Sequence, residues 1–204
     1  MKYIDLTHTF KQIMPSYPGD PKPELIQISF KNKQGYNGFL IKTGMHVGTH
    51  MEAPLHMIEN GKRLSEYPPN HYFGKGHLID ARNRTIDSDL LLGRQISKGD
   101  IVLIMTGFSK KFSTPEYYES YPEICQSFAL QLIKLGVRIV GMDTPSPDRP
   151  PFLIHKLLLG NDVLIIENIS NLESLLKHLE FFVIALPAKF DAEAAPVRII
   201  AQIP

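Results

Sequence analysis

Three histidines and a glutamate crowd into eleven residues, His46-Val47-Gly48-Thr49-His50-Met51-Glu52-Ala53-Pro54-Leu55-His56. Imidazole and carboxylate both bind divalent cations, so the first question is which backbone could aim them at one point. A regular helix would place His46 and His50 on one face. Gly48 weakens a helix there, and Pro54 would clash with the carbonyl of His50. A straight strand would put all four on one face but hold His46 and His50 ~13 Å apart at ~3.4 Å per residue. Ligands of one zinc ion sit ~2.0–2.2 Å from it and must nearly touch. The segment is therefore expected to fold as a tight loop bent at Gly48. Such a nitrogen–oxygen donor set suits Zn, Mn, Fe or Ni and disfavours Cu(I). A lone histidine in a surface loop is ordinarily just solvated. Three of them with a carboxylate, set among Gly and Pro breakers, call for more than solvation.

The second half offers further donors. His155 follows a proline-rich loop, and Glu167 ends the apolar run Val163-Leu-Ile-Ile166. A carboxylate continuing a buried run needs a partner, because an unpaired buried charge is costly. Arg138 or Arg198 could supply one, and so could a metal. His155 by itself reads equally as a solvated residue at the start of a helix. Nucleophilic catalysis finds little support: there is no Gly-x-Ser-x-Gly, and Cys125 is expected inside a helix with no activating neighbour.

These donors need a scaffold. Segments rich in Ile, Val and Phe, bounded by Gly, Pro, Asn or Asp, predict strands near 24–30, 37–43, 76–80, 100–105, 137–141, 162–166, 180–186 and 196–202. A helix is expected over 122–135, with Pro122 near its start, an apolar stripe of Ile124, Phe128, Leu132 and Leu135, and Gly136 after its end. Shorter helices are expected at 87–92, 152–159 and 171–177. The mixture predicts an α/β fold with a mixed sheet. The 204 residues suit one domain over 1–204, since the Pro-rich stretches (15–21, 68–69, 145–151) are too short to link independent domains.

Composition narrows the function classes. The chain is 43% hydrophobic and 21% charged, with 22 basic against 21 acidic residues. No footprint for nucleic acid or an anionic membrane follows from that balance. The longest apolar runs fall far short of the ~20 residues of a membrane span, and the amino terminus does not read as a secretory signal. A single cysteine forbids an internal disulfide and a thiolate zinc cage. A cytoplasmic protein is expected.

The eleven-residue cluster resembles the motif His-x-Gly-Thr-His-x-Asp-x-Pro-x-His of the cyclase family of metal-dependent hydrolases, the family of bacterial kynurenine formamidase and isatin hydrolase. Further resemblances run nearly end to end: Asp5-Leu-Thr-His8, Tyr17-Pro-Gly-Asp-Pro21, Gly141-Met-Asp-Thr-Pro-Ser146, Ile165-Ile-Glu-Asn168 with Asn171-Leu172, and Ala195-Pro-Val-Arg198. The resemblance implies a swivelling β/β/α fold and a homo-oligomer, dimer or tetramer. It implies metal ligation by His46, His50 and Glu52, with His155 and Glu167 completing a second position. It implies His56 as the proton donor and acceptor, and Tyr17 beside the substrate. Two departures stand out. Glu52 occupies the motif's aspartate position and is one methylene longer, which leaves one or two ions open. Tyr17 stands where kynurenine formamidases of this type usually carry tryptophan. The expectation is a hydrolase of a small amide, formamide, cyclic amide or lactone, using water activated by a divalent metal, zinc first and manganese second. His56 suits proton transfer because imidazole titrates near neutrality, at ~6.5 unperturbed. A metal- or ligand-binding homologue without turnover is the alternative.

Overall fold

The computed structural model describes residues 1–204. Ten strands and four short helices run in the order β1 (Lys2–Asp5), β2 (Glu24–Ser29), α1 (Lys31–Gln34), β3 (Gly38–Lys42), β4 (His50–Glu52), β5 (Phe73–Asp80), β6 (Ile101–Met105), α2 (Glu116–Glu119), α3 (Gln126–Leu135), β7 (Ile139–Met142), α4 (Leu153–Leu159), β8 (Leu164–Glu167), β9 (Phe182–Pro187) and β10 (Ala194–Ile203). Seven strands close on themselves in the order β10-β4-β8-β7-β6-β5-β9, with β9 pairing back to β10. β1 lies end to end with β4 along the other edge of β10. β5 to β8 are parallel, and the remaining pairings are antiparallel. The α/β class and mixed sheet match expectation. Closure into a barrel does not show in the apolar pattern of single strands.

The parallel strands are buried on both faces and so read as unbroken apolar runs. In β6, Ile101, Leu103 and Met105 point into the barrel, where they meet Met51, Ile166 and Ile199. Val102 and Ile104 point outward and pack with Ile79, Phe128, Leu132 and Leu158, between the sheet and helices α3 and α4. The same alternation runs through β4. Met51 faces the barrel core, so His50 and Glu52 face the helix side.

Each expected strand is present, but β1 and β4 were not foreseen. At four and three residues they are too short to show a period. The expected helix from 122 begins only at Gln126. Before it, Ile124 bridges to Ile86, and the Cys125 N–H donates to the Ile86 carbonyl, which holds that stretch extended. Cys125 therefore precedes the helix instead of lying in it. The segments 87–92 and 171–177 form only 3-10 turns, Ser88–Leu91 and Leu172–Leu175.

β2 and β3 form a separate two-stranded hairpin. Ile26, Ile28, Phe30, Phe39, Leu40 and Ile41 are each more than two-fifths exposed on it. No helix is long and apolar enough to cross a membrane.

Candidate metal centre

Two local rules and one register bring the donors together. Gly48 adopts φ +68, a left-handed conformation open to glycine, and a Cβ there would meet Met14 Cε at 2.8 Å. The chain turns at this point and enters β4, where the period of two puts His50 and Glu52 on one face. β8 pairs antiparallel to β4 with Glu167 directly opposite His50, so this carboxylate joins the same face. Pro54 then starts a 3-10 turn that ends at His56. The motif is thus a turn, a strand and a second turn, where a single loop had been expected. α4 crosses this face with Ile154, His155, Leu158 and Leu159 buried, and so delivers His155.

The result is a knot of donor atoms. Glu52 Oε1 lies 2.8 Å from His46 Nδ1 and 3.3 Å from His50 Nε2, which are 3.3 Å from each other. Glu52 Oε2 lies 3.4 Å from His155 Nε2. Glu167 spans the same gap, with Oε1 at 3.2 Å from His155 Nε2 and Oε2 at 3.3 Å from His50 Nε2. One oxygen of Glu52 faces each set, despite the longer side chain. Arg138 binds the carbonyls of Asn70 and Phe73, and Arg198 pairs with Asp5, so neither neutralises Glu167.

This donor set fits a divalent cation. Ligands ~2.0–2.2 Å from a tetrahedral ion stand ~3.3–3.6 Å apart, close to the separations found. Glu52 Oε2 is buried and reaches His155 Nε2 only at a long 3.4 Å, and a buried carboxylate oxygen so poorly satisfied is costly. A cation between the two sets would satisfy it. His46–Glu52–His56 and His50–Glu52–Glu167 are both close enough to share an ion.

The far side of each of His46, His50 and His155 is tied. His50 Nδ1–H donates to the Gly48 carbonyl at 2.9 Å. His155 Nδ1–H donates to Asp148 Oδ1 at 2.6 Å. His46 Nε2–H donates to Glu193 Oε1 at 3.3 Å. Carbonyl and carboxylate oxygens only accept, so each far nitrogen carries a proton and each near nitrogen is the one offered to the centre. His56 has no such tether. Its ring lies 4.3 Å, centroid to centroid, from that of His46, and its Nε2 is 3.8 Å from Glu52 Oε1.

With no cation, protons hold these charges apart. Burial pulls the His50 pKa down, but hydrogen bonds and charge from Glu167 and Glu52 outweigh it and lift it to about 10. Burial likewise opposes charge on His155, and Asp148, Glu167 and Glu52 lift it well above the ordinary range. Burial pushes Glu52 up, yet hydrogen bonds from His155, His46 and His50 hold it well below the usual carboxylate range. His56 differs: burial, with the neighbouring His46 and His155, keeps its pKa low against the pull of Glu52. Its surroundings favour the neutral imidazole.

The centre forms the floor of a cavity of about 200 Å³. Its walls include Tyr17, Met57, Tyr118, Pro145 and Phe152, with Asp20 also lining it. Tyr17 and Asp20 are the ends of one turn, with Asp20 N–H donating to the Tyr17 carbonyl at 3.0 Å and Gly19 at φ +99. Tyr17 meets Tyr118 edge-on at 5.7 Å and lines the cavity.

Five neighbours were not foreseen: Asp148, Glu193, Asn168, Tyr118 and Phe152. Asp148 sits in the loop 145–151 that sequence marks only as Pro-rich. Glu193 lies 147 residues from the histidine it touches. Asn168 holds the turn before β4, donating from Nδ2 to the Gly48 carbonyl at 2.9 Å, while its own carbonyl accepts from Thr49 Oγ1 at 2.6 Å.

Comparison with known proteins agrees with this fold. The model of the family described as "putative cyclase" matches residues 4–149. An uncharacterized protein of Methanocaldococcus jannaschii is 36% identical over 98% of this chain and 99% of its own. A kynurenine formamidase of Bacillus mycoides is 27% identical over 98% and 96%. Among solved structures, a predicted metal-dependent hydrolase from Bacillus stearothermophilus superimposes with a TM-score of 0.81 at 28% identity, over 98% of this chain and 97% of that one. An isatin hydrolase bound to a product analogue shares the fold at a TM-score of 0.90 and 20% identity, over 100% and 92%.

Proposed function

The chain belongs to the cyclase family, and from that premise we propose that it is a metal-dependent hydrolase of a small amide, formamide, cyclic amide or lactone. Its relatives include hydrolases whose names point to C–N bonds other than peptide bonds. One observation carries the reading most. Three histidines with their outer nitrogens tied converge on the buried Glu52 carboxylate, and a fourth, untethered and neutral, stands beside them.

His46, His50 and one oxygen of Glu52 would hold a divalent cation. His155, Glu167 and the other Glu52 oxygen would hold a second. Zinc suits the imidazole-rich set, and manganese is the next choice. When bound, a divalent cation lowers the pKa of a water and offsets negative charge on a carbonyl oxygen. His56 does the proton work. Being neutral, it takes a proton from water as the water adds to the carbonyl carbon. It returns that proton to the leaving nitrogen or oxygen as the bond breaks. Tyr17, Tyr118 and Phe152 shape the cavity for a flat apolar group and limit access of bulk water.

Residues 1–204 act as one domain, in the cytoplasm, and as a homo-oligomer. The exposed hairpin supports the last point. A two-stranded hairpin is marginal alone in water, and this one leaves Ile26, Ile28, Phe30, Phe39, Leu40 and Ile41 open. A second copy of this chain is its proposed cover. A metal- or ligand-binding homologue without turnover is the alternative, favoured by glutamate at position 52, and the contacts of both Glu52 oxygens support the catalytic reading over it.

The test is hydrolysis of an aryl formamide such as N-formylkynurenine, a cyclic aryl amide and an aryl lactone by protein reconstituted with Zn or Mn. Turnover that disappears on chelation and returns with metal supports the proposal. Metal-loaded protein that hydrolyses none of the three counts against it.

A further inference from the structure

We propose that Asp148 is a positioning residue of the metal centre, its carboxylate locking His155 in the tautomer that leaves Nε2 free for the cation. This rests on the metal-centre reading above. Asp148 and His155 are 4% and 3% exposed, and Oδ1 accepts the Nδ1–H of His155 at 2.6 Å. The other oxygen, Oδ2, accepts the backbone N–H of Ile154 at the start of α4, also at 2.6 Å. Both oxygens are therefore occupied, and the geometry is fixed from behind. The Asp148 carbonyl accepts from Ser146 Oγ at 2.6 Å and from the Tyr121 hydroxyl at 3.1 Å, which pins the loop. The adjacent Arg149 does not compete for the carboxylate. It lies over the Tyr121 ring and pairs with Glu123.

The three histidine tethers are unequal. His50 leans on a neutral carbonyl, and His46 on a part-exposed carboxylate at 3.3 Å. Only His155 has a buried carboxylate acceptor, and at the shortest distance. A carboxylate hydrogen-bonded to a ligand imidazole fixes its orientation and raises its basicity, and losing such a partner typically costs 10–100-fold in metal affinity.

The substitution Asp148→Asn separates this role from helix capping. Two donors face position 148, and asparagine has only one acceptor oxygen. If that oxygen serves Ile154, the amide NH₂ faces His155 Nδ1. It then forces the opposite tautomer, with a proton on Nε2 where the cation should bind. If the oxygen serves His155, the Ile154 N–H is left unpaired and the charge is lost in either case.

The experiment titrates zinc into wild type and Asp148→Asn against a chromophoric chelator at pH 7.5. Both proteins are checked for a cooperative thermal melt. In parallel, ¹⁵N-histidine NMR of the zinc-loaded wild type is recorded, with His155 assigned by its loss in His155→Gln. We expect a folded Asp148→Asn protein whose weakest zinc equivalent binds about 10–100-fold less tightly. In wild type, His155 should show a protonated Nδ1 and a metal-shifted Nε2. Wild-type zinc affinity in a folded Asp148→Asn protein would leave Asp148 as a helix cap only and overturn the proposal. Should that variant fail to fold, the wild-type spectrum still decides, since an unprotonated Nδ1 on His155 overturns it equally. A wild type that takes up no zinc removes the metal-centre reading and this proposal with it, an outcome distinct from the other two.

Discussion

Glu52→Asp is the most searching perturbation of the centre, because it restores the residue of the family motif while breaking the geometry of this chain. Shortening the side chain by one methylene withdraws the carboxylate by about 1.5 Å along its reach. Oε1, now 2.8 Å from His46 Nδ1, would retreat to about 4 Å, and Oε2 would move equally far from its 3.4 Å approach to His155. Glu52 is 1% exposed and its register neighbours are Ala194 and Ile165. Strand β4 is paired on both edges and cannot slide to compensate. The lost methylene, about 27 Å³, costs roughly 0.7 kcal/mol as a cavity, a fall of about 1–3 °C in melting temperature for a chain this size. Metal affinity responds more, because ligand distances tolerate only ~0.2 Å. We expect a loss of about 10–100-fold, or about 1.4–2.7 kcal/mol. Chelator competition measures the affinity, and turnover of an aryl formamide should fall with it. A rise in both quantities would refute the reasoning and mark Glu52 as a compromised ligand awaiting repair.

Four further outcomes are expected. His56→Ala should retain its metal by elemental analysis yet lose about 10²–10⁴-fold in turnover, the usual worth of a positioned acid–base group; a wild-type rate would exclude that role. Metal affinity should rise with pH across pH 6–9. His50 titrates at about 10 without metal and so carries a proton there that the cation must displace, and each displaced proton adds about tenfold per pH unit; calorimetry in buffers of different ionisation enthalpy counts the protons, and a flat profile contradicts the charge assignment. Tyr17→Ala should weaken hydrolysis of aryl substrates with metal content unchanged, and Tyr17→Trp should shift preference towards the larger aryl group; equal loss on all substrates in both variants would indicate a packing role. Phe39→Asp with Ile41→Asp should lower the sedimentation mass to that of one 23.1 kDa chain, whereas an unchanged mass would move the interface elsewhere.

The histidine cluster was legible because its geometry is mostly local. Gly48 licenses one bend, a period of two aligns His50 with Glu52, and Pro54 opens the turn to His56, all within covalent reach. The long apolar runs likewise announced β6, β7 and β8, since strands buried on both faces leave a compositional trace. Shorter elements left none. β4 reads His-Met-Glu, with a single apolar residue to mark it, and its strand character comes from β10 and β8 on either side.

Sequence alone thus marked the α/β class and the candidate donors, and excluded a cage of several thiolates. Tertiary structure decided which donors meet. Sequence left Glu167 between an arginine and a metal; the antiparallel register of β4 and β8 sets it opposite His50. A slip of one residue would have turned it into the barrel core. The same holds for Asp148 and His155, seven residues apart across a turn with no regular period, and for Glu193 with His46. Local spacing is carried by bond geometry and survives in any context. Contact between distant segments depends on which strands become neighbours and in what register, and the closing of seven strands into one barrel fixes that for all of them together.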